Sequence, residues 1–331
     1  MLAYLIRRIF NMIITLLIIS IVAFTIIQLP PGDYLTTYVA QMRRGGSEIN
    51  EEFIQALVNQ YGLDKPFHMK YLKWITNFVQ GNMGMSFTWN RPVNQLVWGR
   101  LGLTIVISLT SLLFMWIVAI PVGIYAAVRQ YSVGDYIFTF LGFVGLATPN
   151  FMLALILMYL GFKYFGMDVG GLFSPAFEDA PWSLAKIVDL LEHLWVPTVV
   201  LGTAGTAQLI RIMRANLLDE LRKLYVITAR AKGVNESRLV VRYPVRVALN
   251  PFISTIGWIL PQLISGATVT AIVLNLPTTG PLLIGALLSQ DMYLAGSFIM
   301  LLSMLTVIGF LVSDVLLVIA DPRIRFEKRS A

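Results

Sequence analysis

Six stretches of mostly apolar residues, each long enough to cross a bilayer as a helix, run through this chain and rule out most soluble folds. A helix needs about 20 such residues to span the hydrocarbon. Ile9–Gln28, Leu101–Val128, Tyr136–Phe162, His193–Ile212, Phe252–Leu274 and Tyr293–Ile319 meet that length. The fourth is the least apolar, with Thr203, Thr206 and Gln208 inside it and Arg211 near its end. Composition agrees: 13% of the 331 residues are charged, against about 25% in average globular chains. Cysteine is absent and only His68 and His193 supply imidazole, which excludes disulfides, thiolate zinc sites, cysteine nucleophiles and multi-histidine metal centres. The first stretch follows Arg7 and Arg8 like a signal peptide. It is too long for a usual signal core, however, and has no small-residue cleavage site, so it reads as a retained anchor.

The net charge of +7 would suit nucleic acid, but its distribution points elsewhere. Sorted by alternate sides, one side carries 16 Lys/Arg against six acids, and the other nine basic against eleven acidic residues. Asp314 is left inside the last stretch. The positive-inside rule then places both termini in the cytoplasm. The basicity is topological, and no nucleic-acid partner is needed to explain it.

The outside segment 29–100 reads as a helical insert. Ser47 is a suitable cap for a run with Ile49, Phe53, Leu57 and Tyr61. A second periodic run carries Tyr71, Leu72, Trp74, Ile75, Phe78 and Val79. A short helix is expected over Trp182–Leu191 before the fourth span. The turn-rich segment 275–292, with two prolines and Gly280, is expected to be non-helical through its turn. On the inside, 213–250 reads as a helix, with good helix formers from Asp219 through Ile227, a turn at Gly233, and a basic helix with Arg238, Arg242 and Arg246. Small Ala229 and Ala231 beside Gly233 would let another protein's backbone approach closely.

Tyr225–Gly233, YVITARAKG, with the basic stretch that follows to Pro251, resembles the EAA-type coupling loop of ABC importer permeases. The resemblance is to the first permease type of the dipeptide/oligopeptide/nickel subfamily. Further similarity lies in Arg7-Arg8 before a span leading to Pro31-Gly32-Asp33, in Tyr61–Pro66, in Gly81–Ser86, in Arg91-Pro92-Val93 and in Asp321–Arg325. There are departures. Ile227 stands where the loop usually has glutamate, Gly81-Asn82 replaces Gly-Asp, and Ala271–Asn275 replaces a glutamate-containing stretch. The resemblance implies an all-α membrane protein with six transmembrane helices, both termini inside. It would have a helical extracytoplasmic insert between helices 1 and 2 and a cytoplasmic coupling helix between helices 4 and 5. Residues 1–331 would form one transmembrane permease domain, with a core permease module at 95–320 and the coupling loop at 213–250.

The same resemblance implies residence in the inner (cytoplasmic) membrane as half of a translocation path for peptides, oligosaccharides or nickel. Its partners would be a second permease subunit, expected to be a paralogue, two ATP-binding subunits and an extracytoplasmic solute-binding protein. ATP and magnesium would be held by those ATPase subunits, and no cofactor by this chain. Consistently, the sequence has no G-x-x-x-x-G-K-[ST] loop to cradle a nucleotide. Contact with the ATPase maps to Ala229, Arg230, Ala231, Lys232, Gly233 and Val234. Intramembrane polar groups are expected at functional positions, so Thr148, Asn150, Thr203, Gln208 and Gln262 are the candidates for the path. Pro121, Pro149 and Pro261 are expected to bend spans two, three and five. Asp314, close to the cytoplasmic end of its span, is assigned no role in the path. An autonomous secondary transporter or channel would want an acid–base relay or an inverted repeat, and neither is visible. An intramembrane enzyme would want a motif such as H-E-x-x-H, which is absent.

Overall fold

The computed structural model describes residues 2–28, 65–86, 88–166, 170–257, 259, 262–263 and 267–320. In chain order its elements begin with Leu2–Gln28 (α1), Phe67–Val79 (α2), Met85–Ser86 (β1), Arg91–Pro92 (β2) and Val93–Val128 (α3). Val133–Ala147 (α4), Asn150–Phe165 (α5), Leu184–Leu221 (α6), Leu224–Ala231 (α7) and Glu236–Arg242 (α8) follow. Pro244–Ser254 (α9), Thr268–Val273 (α10), Thr279–Leu288 (α11) and Met292–Ala320 (α12) complete the elements among the described residues. The contacts divide it into two units, Met1–Gly102 with Thr278–Leu305, and Leu103–Pro277 with Thr306–Ala331.

In the first unit α2 coincides with the second periodic run of the insert. Its buried Trp74 and Phe78 form one stripe. Phe24 of α1 meets the rings of Phe67, Tyr71 and Trp74 at 5.4, 5.6 and 5.4 Å, in contacts each worth about 0.5–1.5 kcal/mol beyond area burial. Ser20 Oγ and Tyr71 OH share a hydrogen bond of 2.7 Å. The antiparallel pair β1–β2 is a small addition to an otherwise helical chain. Buried Asp291 accepts from the Ser86 hydroxyl at 2.5 Å and the Thr88 N–H at 3.2 Å, and its other oxygen caps Leu294 N–H at the start of α12. The expectation of a non-helical 275–292 is corrected: α11 begins at Thr279. Gly280 and Pro281 lie in its first turn, where a missing N–H costs nothing. The first helical run of the insert, Pro31–Asp33, Pro261 and Asp321–Arg325 fall outside the described residues.

In the second unit α6 is the central element, packed along α4, α5 and α9. Its Val200, Leu209, Met213 and Leu217 are fully buried. Close approach relies on missing side chains. A Cβ on Gly202 would lie 2.5 Å from Phe114, and one on Gly205 2.5 Å from Met115. This is how membrane helices gain packing where lipid removes the hydrophobic drive. Ser183 caps α6 through Lys186 N–H, so the short helix expected over Trp182–Leu191 is instead the first part of one 38-residue helix.

Among the described residues three helices, α1, α3 and α12, contain apolar windows long enough to cross a membrane. Stretch three is not one continuous helix. It is two helices, α4 and α5, bent by 101°. The cause is Pro149, whose ring disfavours helical geometry in the residue before it, so Thr148 is extended at φ −86°, ψ 117° and α4 stops. Pro121, by contrast, is carried inside a continuous α3. The described residues are therefore those of a mostly helical membrane protein, with one two-residue strand pair among them.

Candidate functional site

Two places in the second unit gather the polar groups singled out from sequence. The first is a cavity of about 180 Å³ whose wall includes Asn150, Gln208 and Gln262. Apolar and small residues complete it, among them Met115, Leu146, Ala204 and Gly205. The 101° bend brings Asn150, the first residue of α5, onto this wall. Gly205, one residue from Ala204, lets α3 approach closely beside the opening. The amides of Asn150, Gln208 and Gln262 offer both donors and acceptors without charge. Such a wall suits a solute rich in amide groups and traps none electrostatically.

Thr148 and Thr203 are not part of that wall. Each hydroxyl is turned back onto its own helix, Thr148 Oγ1 to Val144 O at 2.8 Å and Thr203 Oγ1 to Val199 O at 2.6 Å. The methyl of Thr203 lies against Gly145, which gives it a packing role between α4 and α6.

The second place is the segment from the end of α6 to α9. The helix expected to run from Asp219 through Ile227 is broken: α6 ends at Leu221, and α7 starts at Leu224 after the Arg222–Lys223 turn. A latch holds that break. Glu220 accepts from Tyr225 OH at 2.6 Å and pairs with Lys223 Nζ at 2.7 Å. Burial pushes the Glu220 carboxyl up, but the bonds from Lys223 and Tyr225 together outweigh it and hold it below its ordinary value. Burial and the adjacent carboxylate push the Tyr225 phenol far above its usual range, so it stays a donor.

α7 then closes in a paired reversal. Gly233 N–H donates to Arg230 O at 3.0 Å and Val234 N–H to Ala229 O at 3.3 Å, with Gly233 at φ +75°. This is the Schellman closure, in which glycine accepts the left-handed conformation without a Cβ penalty. Ala229 and Val234 pack partly buried against the apolar core, while Arg230, Ala231, Lys232 and Gly233 are exposed. Of the two small residues expected to admit a partner's backbone, only Ala231 and not Ala229 is presented outward. Nothing lies within 4 Å of a Cβ placed on Gly233, so its requirement is conformational. Arg230 clamps Glu236 across the turn through Nε at 3.0 Å and Nη2 at 2.5 Å. Asn235 caps α8, and Tyr243 separates α8 from α9, so the basic helix is two helices with Arg238, Arg242 and Arg246 all exposed.

The pair Asp135–Arg214, invisible to sequence reading, ties α4 to α6 on the same side. Asp135 is 3% exposed and accepts from Arg214 Nε at 3.0 Å, Arg214 Nη2 at 2.8 Å and Tyr131 N–H at 3.0 Å. The arginine bonds, set against burial, hold the Asp135 carboxyl below its usual range. Near the other end of α6 Asp189 accepts from both the hydroxyl and the N–H of Ser174. Among the described residues no cluster of three or more histidines and carboxylates is placed to hold a metal.

Residues 119–326 match the family described as binding-protein-dependent transport system inner membrane component, and residues 1–110 match its N-terminal region. The chain is 36% identical to the oligopeptide transport system permease protein AppB of Bacillus subtilis over 98% of this chain and 100% of that one. It is 30% identical to the glutathione transport system permease protein GsiC of Salmonella paratyphi A, over 99% of this chain and 100% of that one. The GsiC of Escherichia coli O6:H1 gives the same identity and coverage.

Proposed function

The chain belongs to the binding-protein-dependent transport system inner membrane components and is a permease subunit of an ABC importer; from that premise we propose that it forms half of a peptide path with a coupling element at α7. Six spans, with both termini cytoplasmic, fit the charge distribution. In this reading the fourth span is the middle of α6, the third is the bent pair α4–α5, and the fifth runs from α9 towards α10. Asn150, Gln208 and Gln262 line the path.

Ala231, Lys232 and Gly233 present the docking surface to an ATP-binding subunit, with Arg230 pinned by Glu236 and with Ala229 and Val234 anchoring the turn from beneath. ATP and magnesium reside in two such partner subunits. A second permease, taken to be a paralogue, and an extracytoplasmic binding protein complete the importer. Peptides are the favoured solute because relatives matched over their whole length are named for oligopeptide and glutathione transport, and because the cavity wall is lined by amides rather than charges. The observation that carries the reading is the exposed left-handed turn at Gly233, which is held rigidly from below and free above.

Tagged purification from native membranes in mild detergent tests it. A second permease and nucleotide-hydrolysing subunits should be retained, with hydrolysis stimulated by the binding protein loaded with peptide. Recovery of this chain alone, with solute flux in liposomes that needs no ATP, would overturn it. Stimulation by an oligosaccharide or nickel instead of peptide would leave the importer standing and remove the peptide assignment.

A further inference from the structure

We propose that the groove between α4 and α6 beside Arg211 seats the phosphate of an anionic phospholipid of the inner leaflet. The proposal rests on the cytoplasmic placement of this end of the helices adopted above. A cavity of about 210 Å³ lies there, walled by Gly142 and Phe143 of α4 and by Ala207, Ile210, Arg211 and Arg214 of α6, among others. It is below the roughly 300–1,000 Å³ of sites that enclose whole small molecules, so it takes a headgroup rather than a solute. The small Gly142 and Ala207 approach to 3.6 Å for a built Cβ and form its floor.

Its two arginines are in different states. Arg214 spends its guanidinium on Asp135 in two hydrogen bonds, so those charges cancel. The guanidinium of Arg211 lies over the ring of Phe143, 5.2 Å from its centroid. It has no hydrogen-bond or ion-pair partner among the described residues. The cavity therefore keeps one uncancelled positive charge, on the side chain best shaped for two parallel bonds to a phosphate.

Location supplies the other half of the case. Arg211 stands one residue before the end of the fourth apolar stretch, and Asp135 one residue before the start of the third. The cavity thus sits where headgroups sit. Around it α4 exposes Ile137, Phe140, Leu141 and Val144, an apolar face for an acyl chain to follow. On α6, Ala207, Ile210 and Arg214 lie about 130° round the helix axis from Ala204, Gly205 and Gln208, so that part of the groove faces away from the amide-lined cavity, while Arg211 lies about 70° from the same three residues, at the groove's edge.

The test uses the whole purified importer in nanodiscs of phosphatidylcholine with or without phosphatidylglycerol, and counts retained lipid by native mass spectrometry. The wild type should retain phosphatidylglycerol in preference to phosphatidylcholine. Arg211→Gln should weaken that retention about fivefold, the equivalent of the ~1 kcal/mol one basic residue gains at an anionic surface. Arg211→Lys should recover most of it. Subunit composition and basal ATP hydrolysis should stay at wild-type levels in both variants, so failure of the importer reading would show there and not in the lipid count. Equal retention in Arg211→Gln would overturn the proposal. So would loss of the second permease in that variant, which would mean that protein covers the groove. Displacement of the lipid by inorganic phosphate alone would assign the cavity to a soluble anion and also overturn it.

Discussion

Asn150, Gln208 and Gln262 face a cavity with no charged side chain among its described walls, whereas the stretch around the C-terminal end of α6 is fastened by three ion pairs: Arg214–Asp135, Lys223–Glu220 and Arg230–Glu236. The first region offers amides that bond to many partners weakly. The second fixes where α6 ends, how α7 leaves it and how α7 turns. An importer whose binding protein chooses the solute has little use for a selective wall. It needs a connection to its energy source that does not slip. On the proposed assignment of the two regions, the difference in chemistry would follow that difference in task.

The comparison breaks most visibly at Asp135. Arg214→Gln leaves a buried carboxylate unpaired, and removing one partner of a buried pair costs about 3–5 kcal/mol. Thermal melting of the purified complex should fall sharply, and Asp135→Leu combined with Arg214→Met should restore most of it. The pH dependence follows from the sign of the shift. Because the folded carboxyl lies below its ordinary value, the pair's contribution is full above about pH 4 and is lost as pH falls through the lower folded value. A melting temperature unchanged between pH 5 and pH 3 in a variant carrying Asp189→Asn, Glu220→Gln and Glu236→Gln would contradict that assignment.

Next in size is the turn. Gly233→Val forces a branched side chain into the left-handed region at about 1–2 kcal/mol, and retention of the ATPase subunits should drop at least severalfold. Gly233→Asn tolerates the conformation, so it separates the backbone from the surface. If it docks normally the turn alone matters, and if it fails the bare backbone is itself the contact. Tyr225→Phe is milder, removing one hydrogen bond to a carboxylate, about 1–2 kcal/mol. ATPase subunits should still co-purify, while peptide moved per ATP hydrolysed falls, since α7 can then swing independently of α6. Unchanged stoichiometry of transport would remove the latch from the coupling. The smallest effect belongs to the cavity. Gln208→Leu should change peptide uptake less than about threefold, because one amide among several in a wet path contributes only ~0.5–1.5 kcal/mol; abolished uptake would show that the wall selects after all.

Much of this was legible in the residues. The apolar runs at α1, α3 and α12, the aromatic stripe of α2 and the glycine at 233 carry their own physical signals, and the structure places elements at each. Three features were not. Good helix formers around Leu221 gave no hint that α6 stops there, because the stop depends on Glu220 finding Lys223 and Tyr225. Asp135 and Arg214 are 79 residues apart, and local pattern holds no record of such a meeting. Left-handed closures at Asn275 and Gln290 (φ 51° and 57°) end α10 and α11 without glycine, so the usual marker is missing. The 101° bend was half legible: Pro149 announced a disturbance, and only its neighbour's extended backbone decided that it would be a corner.

α6 has 38 residues, a length of about 57 Å at 1.5 Å per residue, and it joins three stations that lie far apart. Near one end Asp189 holds the Ser174 loop, in the middle Ala204, Gly205 and Gln208 border the cavity, and at the other end Glu220 grips Tyr225. If the cavity lies on the path as proposed, α6 would be a lever with its fulcrum beside it: a tilt of about 10° around the midpoint would sweep each end roughly 5 Å in opposite directions. A pull of ATPase origin on α7 would then arrive at the outer mouth as a push.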